Sequence, residues 1–343
     1  MIDWVSVVIP IKHKPIKAGH YLMFDEDGEI LSNKPVYKHF KGSFEQKIGL
    51  RSQGDLDANG YISQLFLFGN PSKYLQGHNV FGIDDLCDLI RGTMLDVCER
   101  YDLGINLLTL MGAIDSGVVS RIDFTKSIKF QNRMQVRAYI KQLSLVAHTR
   151  SGRPQQKKWT LAFQSTSKRW SAVIYSKGDE VESNKLHKDF EEKDFIHSVA
   201  DSLVRVELRF KTLELIDLNL RKVHQLTSEK LHEIYSEFLG RINMPTSIEL
   251  TSDQVDSLSR TLKATYLLWK SGIDVQNDMS KSTYYRHVSE IKKIGVDISI
   301  PYQESSVSNV IPLKTVLHAE LFETPQEAFD KGLVYQPRQL TVV

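Results

Sequence analysis

Along residues 204–211 apolar and charged side chains alternate without a break: Val204, Val206, Leu208 and Phe210 against Arg205, Glu207, Arg209 and Lys211. A period of two predicts a strand with one face in the core and the other wholly charged. Residues 118–130 repeat the pattern, setting Ile122, Phe124, Ile128 and Phe130 against Arg121, Asp123, Thr125 and Lys129. Within residues 1–70, WVSVVIPI, HYLMF and YISQLFLFG are shorter runs of strand character, separated by the turn clusters DEDGE and SQGDLDANG. KKWTLAFQS and WSAVIYSK predict the two strands of a hairpin with TSKR near its turn. In the second of these the alternation Ser171, Val173, Tyr175, Lys177 places Tyr175 and Lys177 on one side.

Elsewhere the period is helical. Residues 83–103 space Leu86, Leu89, Ile90, Met94, Val97 and Cys98 by threes and fours, and RMQVRAYIKQLSLVA turns Val136, Tyr139, Ile140, Leu143 and Val146 inward. Beyond residue 225 helical texture takes over in SEKLHEIYSEFLGRI, TSDQVDSLSRTLKATYLLWKSG and SKSTYYRHVSEIKKIG, the last with Ser280 as N-cap and Gly295 as stop. Its apolar positions Tyr285, Val288, Ile291 and Ile294 leave Lys281, Thr283, Arg286 and His287 partly outward, and with the preceding helix it has the proportions of a helix-turn-helix. The predicted fold class is α+β: an antiparallel sheet with helices on one face over 1–220, a helical, helix-turn-helix-like domain over 221–305, and a C-terminal extension over 306–343.

Composition sharpens this in two places. The formal charge is only +2, yet between Lys126 and Lys177 there are twelve Lys and Arg and no Asp or Glu. Such a run is an electrostatic footprint for a phosphate backbone, unless the acids of GDEVE and DFEEKD that follow fold back to neutralise it. Read as a DNA surface, it offers Lys157, Lys158, Lys168 and Arg169, with Arg121, Arg205 and Arg209 on the charged strand faces, and Lys281, Thr283, Arg286 and His287 on the last helix. Cys87 and Cys98 lie eleven apart, neither a disulfide framework nor a zinc spacing, which points to a reducing compartment. The opening MIDWVSVVIPIKHK is too short and broken an apolar stretch for a signal peptide or a membrane span.

Asp123 and Glu207 are lone acids among basic neighbours, each on the non-core side of its strand. Each suffices to neutralise an arginine; converging, the two would bind a hard divalent cation, Mg2+ or Mn2+, through oxygen. Tyr175 is either packing or a nucleophile, and in the second case nearby cations must favour its phenolate, the ordinary phenol losing its proton only near 10. In LQGHNVFG (75–82) His78 is open to reading as a third metal ligand, the segment's amides as a phosphate loop, or the whole as a tight turn.

KYLQGHNVFGIDDL, VSRIDFT, SLVRVELRFKT, STYYRHVSEIKKIGVDIS and SNVIPLKTV resemble, in order and spacing, the gene II/X replication initiators of filamentous phages, the cholera-toxin-phage type being nearest in length. TLAFQSTSKRWSAVIYSKGDEVE followed by RVELRFK is more distantly similar to rolling-circle plasmid initiators, in which a tyrosine in an R-x-Y-x-K context lies between R-x-D and R-x-E strands. The resemblance implies metal-dependent, site-specific nicking of one strand of a double-stranded origin, a 5′-phosphotyrosine intermediate and later rejoining. By position it makes Tyr175 the nucleophile, Asp123 and Glu207 metal ligands and Lys177 a phosphate contact. It implies as partners origin DNA, displaced single strand, a host helicase and a replication polymerase, in the cytoplasm of the bacterial host; a homodimer on the origin is compatible with such a protein. Two departures stand out: no H-x-H motif occurs, and Val173 replaces the arginine of the plasmid pattern. A non-catalytic DNA-binding replication regulator is the alternative, because phage proteins of this class also have shortened forms that only bind.

Overall fold

The computed structural model describes residues 1–242, 250, 252–294, 296, 298, 299, 302 and 321–337, the side chains of 33–35 and 145–146 excepted. The N-terminal half opens with β1 (Ile2–Ile9), β2 (His20–Phe24), β3 (Ile30–Pro35), β4 (Lys38–Lys41), β5 (Lys47–Leu56) and β6 (Ile62–Gly69). Helices α1 (Pro71–Gln76), α2 (Leu86–Arg100) and α3 (Leu107–Asp115) follow, then β7 (Val118–Lys129) and α4 (Arg133–Val146). Next come β8 (Gln155–Lys157), β9 (Thr160–Phe163), β10 (Trp170–Ser176), α5 (Lys177–Asn184), α6 (Lys193–Asp201) and β11 (Leu203–Lys211). The described remainder is helical: α7 (Thr212–Asp217), α8 (Ser228–Gly240), α9 (Ser252–Ser257), α10 (Arg260–Lys270), α11 (Lys281–Lys293) and α12 (Gln326–Asp330).

Nine strands form one sheet in the order β4-β5-β6-β1-β7-β11-β10-β9-β8, every neighbouring pair antiparallel, while β2 and β3 form a separate two-stranded ribbon. The fold is therefore α+β, as the sequence predicts. At its centre β11 pairs with β7 from Leu203↔Lys129 to Lys211↔Arg121, and with β10 from Trp170↔Phe210 to Ser176↔Val204. Directly paired residues of antiparallel strands point to the same face. Three rows result: Tyr175, Arg205 and Ser127; Val173, Glu207 and Thr125; Ser171, Arg209 and Asp123.

The opposite face carries Ile122, Phe124, Val206, Leu208 and Phe210 and packs on α8, which Thr227 caps by accepting from the Lys230 amide. Phe124 meets Tyr235 edge-on at 5.6 Å between ring centroids, Phe210 meets Phe238 at 5.0 Å, and the Tyr235 hydroxyl donates to the Val206 carbonyl at 3.1 Å. Each such buried side chain contributes about 1.5–3 kcal/mol, so this layer holds the site strands rigid from behind. The charged face of β11 is covered too, Arg205 and Glu207 both being buried.

Two local expectations fail. The strand carrying Tyr175 does not run through Lys177: it ends at Ser176, which caps α5 by accepting from the Asp179 amide at 3.3 Å, with Asp179 and Glu180 stabilising the positive end of the helix. Lys177 is therefore a first-turn helical residue, not an alternating strand position. In α11 the buried residues are Tyr284, His287 and Ile291; of the predicted stripe Ile291 is buried, Val288 and Ile294 pack partly buried against the same cluster, and Tyr285 is 63% exposed. The cause is a buried polar pair: His287 Nδ1 and the Thr265 hydroxyl lie 2.8 Å apart between α10 and α11, inside a cluster with Leu262, Tyr266 and Trp269. His287 is thus a packing residue and unavailable to DNA.

Residues 271–280 separate α10 from α11, a connector longer than the three or four residues of a helix-turn-helix, so that geometry is not established here. SNVIPLKTV (308–316) lies outside the described residues. Among those described, no helix is long and apolar enough to cross a membrane.

Candidate active site

A cleft of about 950 Å³ opens on the polar face of β7, β11 and β10. Asp3, Asp123, Tyr175 and Glu207 line it together with Arg121, Arg209 and Asn79; Lys157, Lys158 and Trp159 from the β8–β9 turn contribute to one side, and Asp179, Glu180 and Asn184 of α5 to another. Register alone accounts for the convergence of Asp123, Tyr175 and Glu207, since all three fall in adjacent rows of one sheet face.

Arg209 joins the two carboxylates. Its Nε donates to Glu207 Oε1 at 2.6 Å and lies 3.6 Å from Asp123 Oδ2, while Arg121 grips Asp123 in a fork, Nε to Oδ1 at 2.8 Å and Nη2 to Oδ2 at 2.5 Å. Arg121 also lies over the Trp4 ring at 5.2 Å. Even so paired, both acids hold protons more tightly than ordinary carboxyls. Burial first, then the charges of Asp3 and Asp123, pushes Glu207 up to about 7; burial raises Asp123 against the pull of Arg121 and Arg209.

Tyr175 is 8% exposed, and its hydroxyl makes no hydrogen bond among the described residues although it borders the cleft. Burial pushes the phenol well above its usual range, with Arg205 opposing and Glu207, Asp3 and Glu180 adding to the rise. Its oxygen is not among the fully buried side-chain atoms that lack a partner, so it stays open to the cleft. The geometry suits a group kept free for a ligand.

Asp3 is the site residue that the sequence reading missed. A bulge between Ile2 and Trp4 interrupts the β1–β7 register beside Asp123. Its Oδ1 accepts from Asn79 Nδ2 at 2.7 Å and Asn70 Nδ2 at 2.9 Å. A lone acid near the start of an apolar run gave no signal, because a bulge is a property of the partner strand's register.

LQGHNVFG resolves into a buttress under this site. Gly77 ends α1 at φ +87, where a β-carbon would stand 2.4 Å from the Phe44 ring. The carbonyls of Asn79 and Val80 accept from the two terminal nitrogens of Arg205, whose Nε donates to Ser127 Oγ at 3.3 Å. Asn79 Oδ1 accepts from Lys177 Nζ at 2.8 Å, and the same ammonium donates to Glu180 Oε2 at 2.5 Å. Expected DNA contacts Arg205 and Lys177 are therefore buried structural cations, the ammonium lowered to about 8 by burial and by Arg205. His78 is no partner of the carboxylates: its Nε2 bonds the Leu333 carbonyl at 2.8 Å, its Nδ1 accepts from the Val80 amide at 3.2 Å, and burial lowers it to about 4.

The basic run is partly neutralised in space. Arg133 pairs with Asp201 and Glu182, Arg137 with Asp179, and Arg169 with Asp217 and Glu214, while Lys126 lies over the Tyr235 ring. Lys129, Lys141, Arg150, Arg153, Lys157, Lys158 and Lys168 remain exposed and carry no ion pair among the described residues. On α11, Lys281 and Arg286 are exposed and Thr283 is half-buried, in a unit not brought to the cleft.

Residues 1–229 match the family model for the N-terminal region of the phage replication-associated protein encoded by gene II, and residues 250–334 match the model for the C-terminal region of the same protein. The chain belongs to the gene II replication-associated protein family. It is 35% identical over 331 residues to the replication-associated protein of Enterobacteria phage I2-2, covering 95% of this chain and 96% of that protein. To the replication-associated proteins of Enterobacteria phages M13 and f1 it is 25% identical over 304 residues, 73% of each chain. Every cleft residue named above falls within the N-terminal family match, and α9, α10 and α11 fall within the C-terminal one.

Proposed function

We propose that this gene II-family chain is a phage rolling-circle replication initiator that nicks and rejoins one DNA strand through Tyr175. The observation that carries the reading is the unpartnered Tyr175 hydroxyl in a cleft it shares with Asp123 and Glu207. The phenol oxygen would form a bond to phosphorus as the bond from phosphorus to the 3′ oxygen breaks. The phenol proton leaves, the 3′ oxygen gains one, and the products are a 5′-phosphotyrosine and a free 3′ hydroxyl. Reversal rejoins the strand without another energy source.

Arg121 and Arg209 hold the carboxylates in place and border the cleft as cations for an incoming phosphate, while Lys157 and Lys158 at its side draw in the backbone. Among the described residues no group of three or more His, Cys, Asp and Glu is arranged to hold a metal by itself. Asp123 and Glu207 are nevertheless two buried carboxylates that would offer oxygen ligands to a Mg2+ or Mn2+ ion. Such an ion would offset charge developing on the phosphate and the departing oxygen.

The test is peptide mapping of the covalent adduct formed on a supercoiled origin plasmid with Mg2+ or Mn2+. DNA attached to the peptide containing Tyr175, and no adduct from Tyr175→Phe, are expected. Attachment at another tyrosine would remove this nucleophile, and tight origin binding without any adduct would leave a binding-only regulator.

A further inference from the structure

The β2–β3 ribbon belongs to neither the sheet nor the cleft. Among the described residues its strands pair only with each other, and every residue of β2 is exposed. Tyr21, Phe24, Ile30 and Leu31 are each between 53% and 63% exposed. A two-stranded ribbon by itself is marginal in water, and clustered exposed apolar side chains mark a contact surface. The register sorts them: Leu22 and Phe24, with Ile30 paired to Phe24, share one face, and Tyr21 and Met23 the other.

Charge along the ribbon decides the occupant. At the tip Asp25, Glu26, Asp27 and Glu29 carry no ion pair among the described residues, and Asp25 Oδ1 shapes the turn by accepting from the Asp27 and Glu29 amides at 3.1 and 2.7 Å. At the base Lys17 and Lys38 are exposed and likewise without an acidic partner among the described residues. Four acids on the tip repel a phosphate backbone, so the surface is not made for DNA. Acid at one end, cations at the other and hydrocarbon between form a self-complementary pattern under a two-fold axis.

We propose that the ribbon is a homodimer contact, in which a second copy of this chain lays its own ribbon antiparallel against the first. Phe24, Leu22 and Ile30 then bury one another, and each acidic tip meets the Lys17 and Lys38 base of the other copy. The contact is independent of the chemistry at Tyr175.

Sedimentation velocity on the full chain without DNA, from about 1 to about 100 µM, tests it. The wild type is expected to dimerise, and Leu22→Ser with Phe24→Ser to weaken the dimer by at least about tenfold. Glu26→Lys with Asp27→Lys and Glu29→Lys, and separately Lys17→Glu with Lys38→Glu, each place like charges across the contact and should leave monomers. Mixed in equal amounts, these two variants present opposite charges at both ends and should restore a heterodimer, while unchanged thermal melts confirm that each is folded. A wild type that stays monomeric throughout the range overturns the proposal, as does a mixture that stays monomeric or variants that dimerise like the wild type.

Discussion

Asn79 Oδ1 stands 2.8 Å from Lys177 Nζ, and this one bond ties the segment 75–82 to the first residue of α5, two positions after Tyr175. The other end of the same amide holds Asp3 at 2.7 Å, so Asn79 links two walls of the cleft. Asn79→Ala removes two hydrogen bonds to charged groups and leaves a fully buried ammonium with Glu180 as its remaining side-chain partner. A loss of about 2–4 kcal/mol is expected in denaturant unfolding. At a temperature where the variant is folded, the single-turnover nicking rate should fall by more than origin affinity. Equal losses in both would reduce Asn79 to a general stabiliser.

Tyr175→Phe separates chemistry from packing. The hydroxyl makes no hydrogen bond among the described residues, so its removal should change unfolding free energy by no more than about 0.5 kcal/mol while abolishing the covalent adduct. A destabilisation of about 2 kcal/mol would reveal a structural partner for that oxygen.

The legibility of the chain followed the range of its signals. Alternation in 118–130 and 203–211 identified the two central strands and placed Asp123 and Glu207 on their polar faces, because a period of two is local and register then does the rest. What escaped depended on partners distant in sequence. Lys177 and Arg205 look like surface cations until Asn79, about a hundred residues away or more, meets both. The turn from strand to helix at Ser176 did have a local signature, Ser176 followed three residues later by Asp179, which the strand alternation through Lys177 masked. His287 escaped because Tyr285 is the better apolar residue on composition, whereas Thr265 makes the histidine the better buried one.

Glu207 sets a pH dependence with a definite sign. Its folded-state affinity for protons is raised to about 7, above the ordinary value of 4.5, by burial and by Asp3 and Asp123, with Arg209 opposing. Between those values the folded chain binds more protons than the unfolded one. Its contribution to stability therefore falls as pH rises through this window, by at most about 1.4 kcal/mol per pH unit. Glu207→Gln should flatten that slope in unfolding measured from about pH 4.5 to about pH 7.5. In the wild type, Mn2+ affinity measured with DNA bound should rise over the upper part of the same window as the carboxylate ionises, and the variant should lose that rise.

Salt dependence distinguishes cations that are free from those already neutralised. Lys157 and Lys158 are exposed at the cleft and unpaired among the described residues, whereas Arg169 is held by Asp217 and Glu214. If the first two each contact one phosphate, Lys157→Ala with Lys158→Ala lowers DNA affinity and reduces the slope of log affinity against log salt by about 2, since each released counterion contributes about 0.9 on duplex DNA. Arg169→Ala should move the slope by much less, because its acids release it only at a cost that offsets any phosphate contact. Fluorescence anisotropy on a labelled origin duplex between about 50 and about 200 mM salt resolves the two cases. Equal slopes for the wild type and the double lysine variant would show that the backbone does not cross the β8–β9 turn, and would move the DNA path to Arg150 and Arg153.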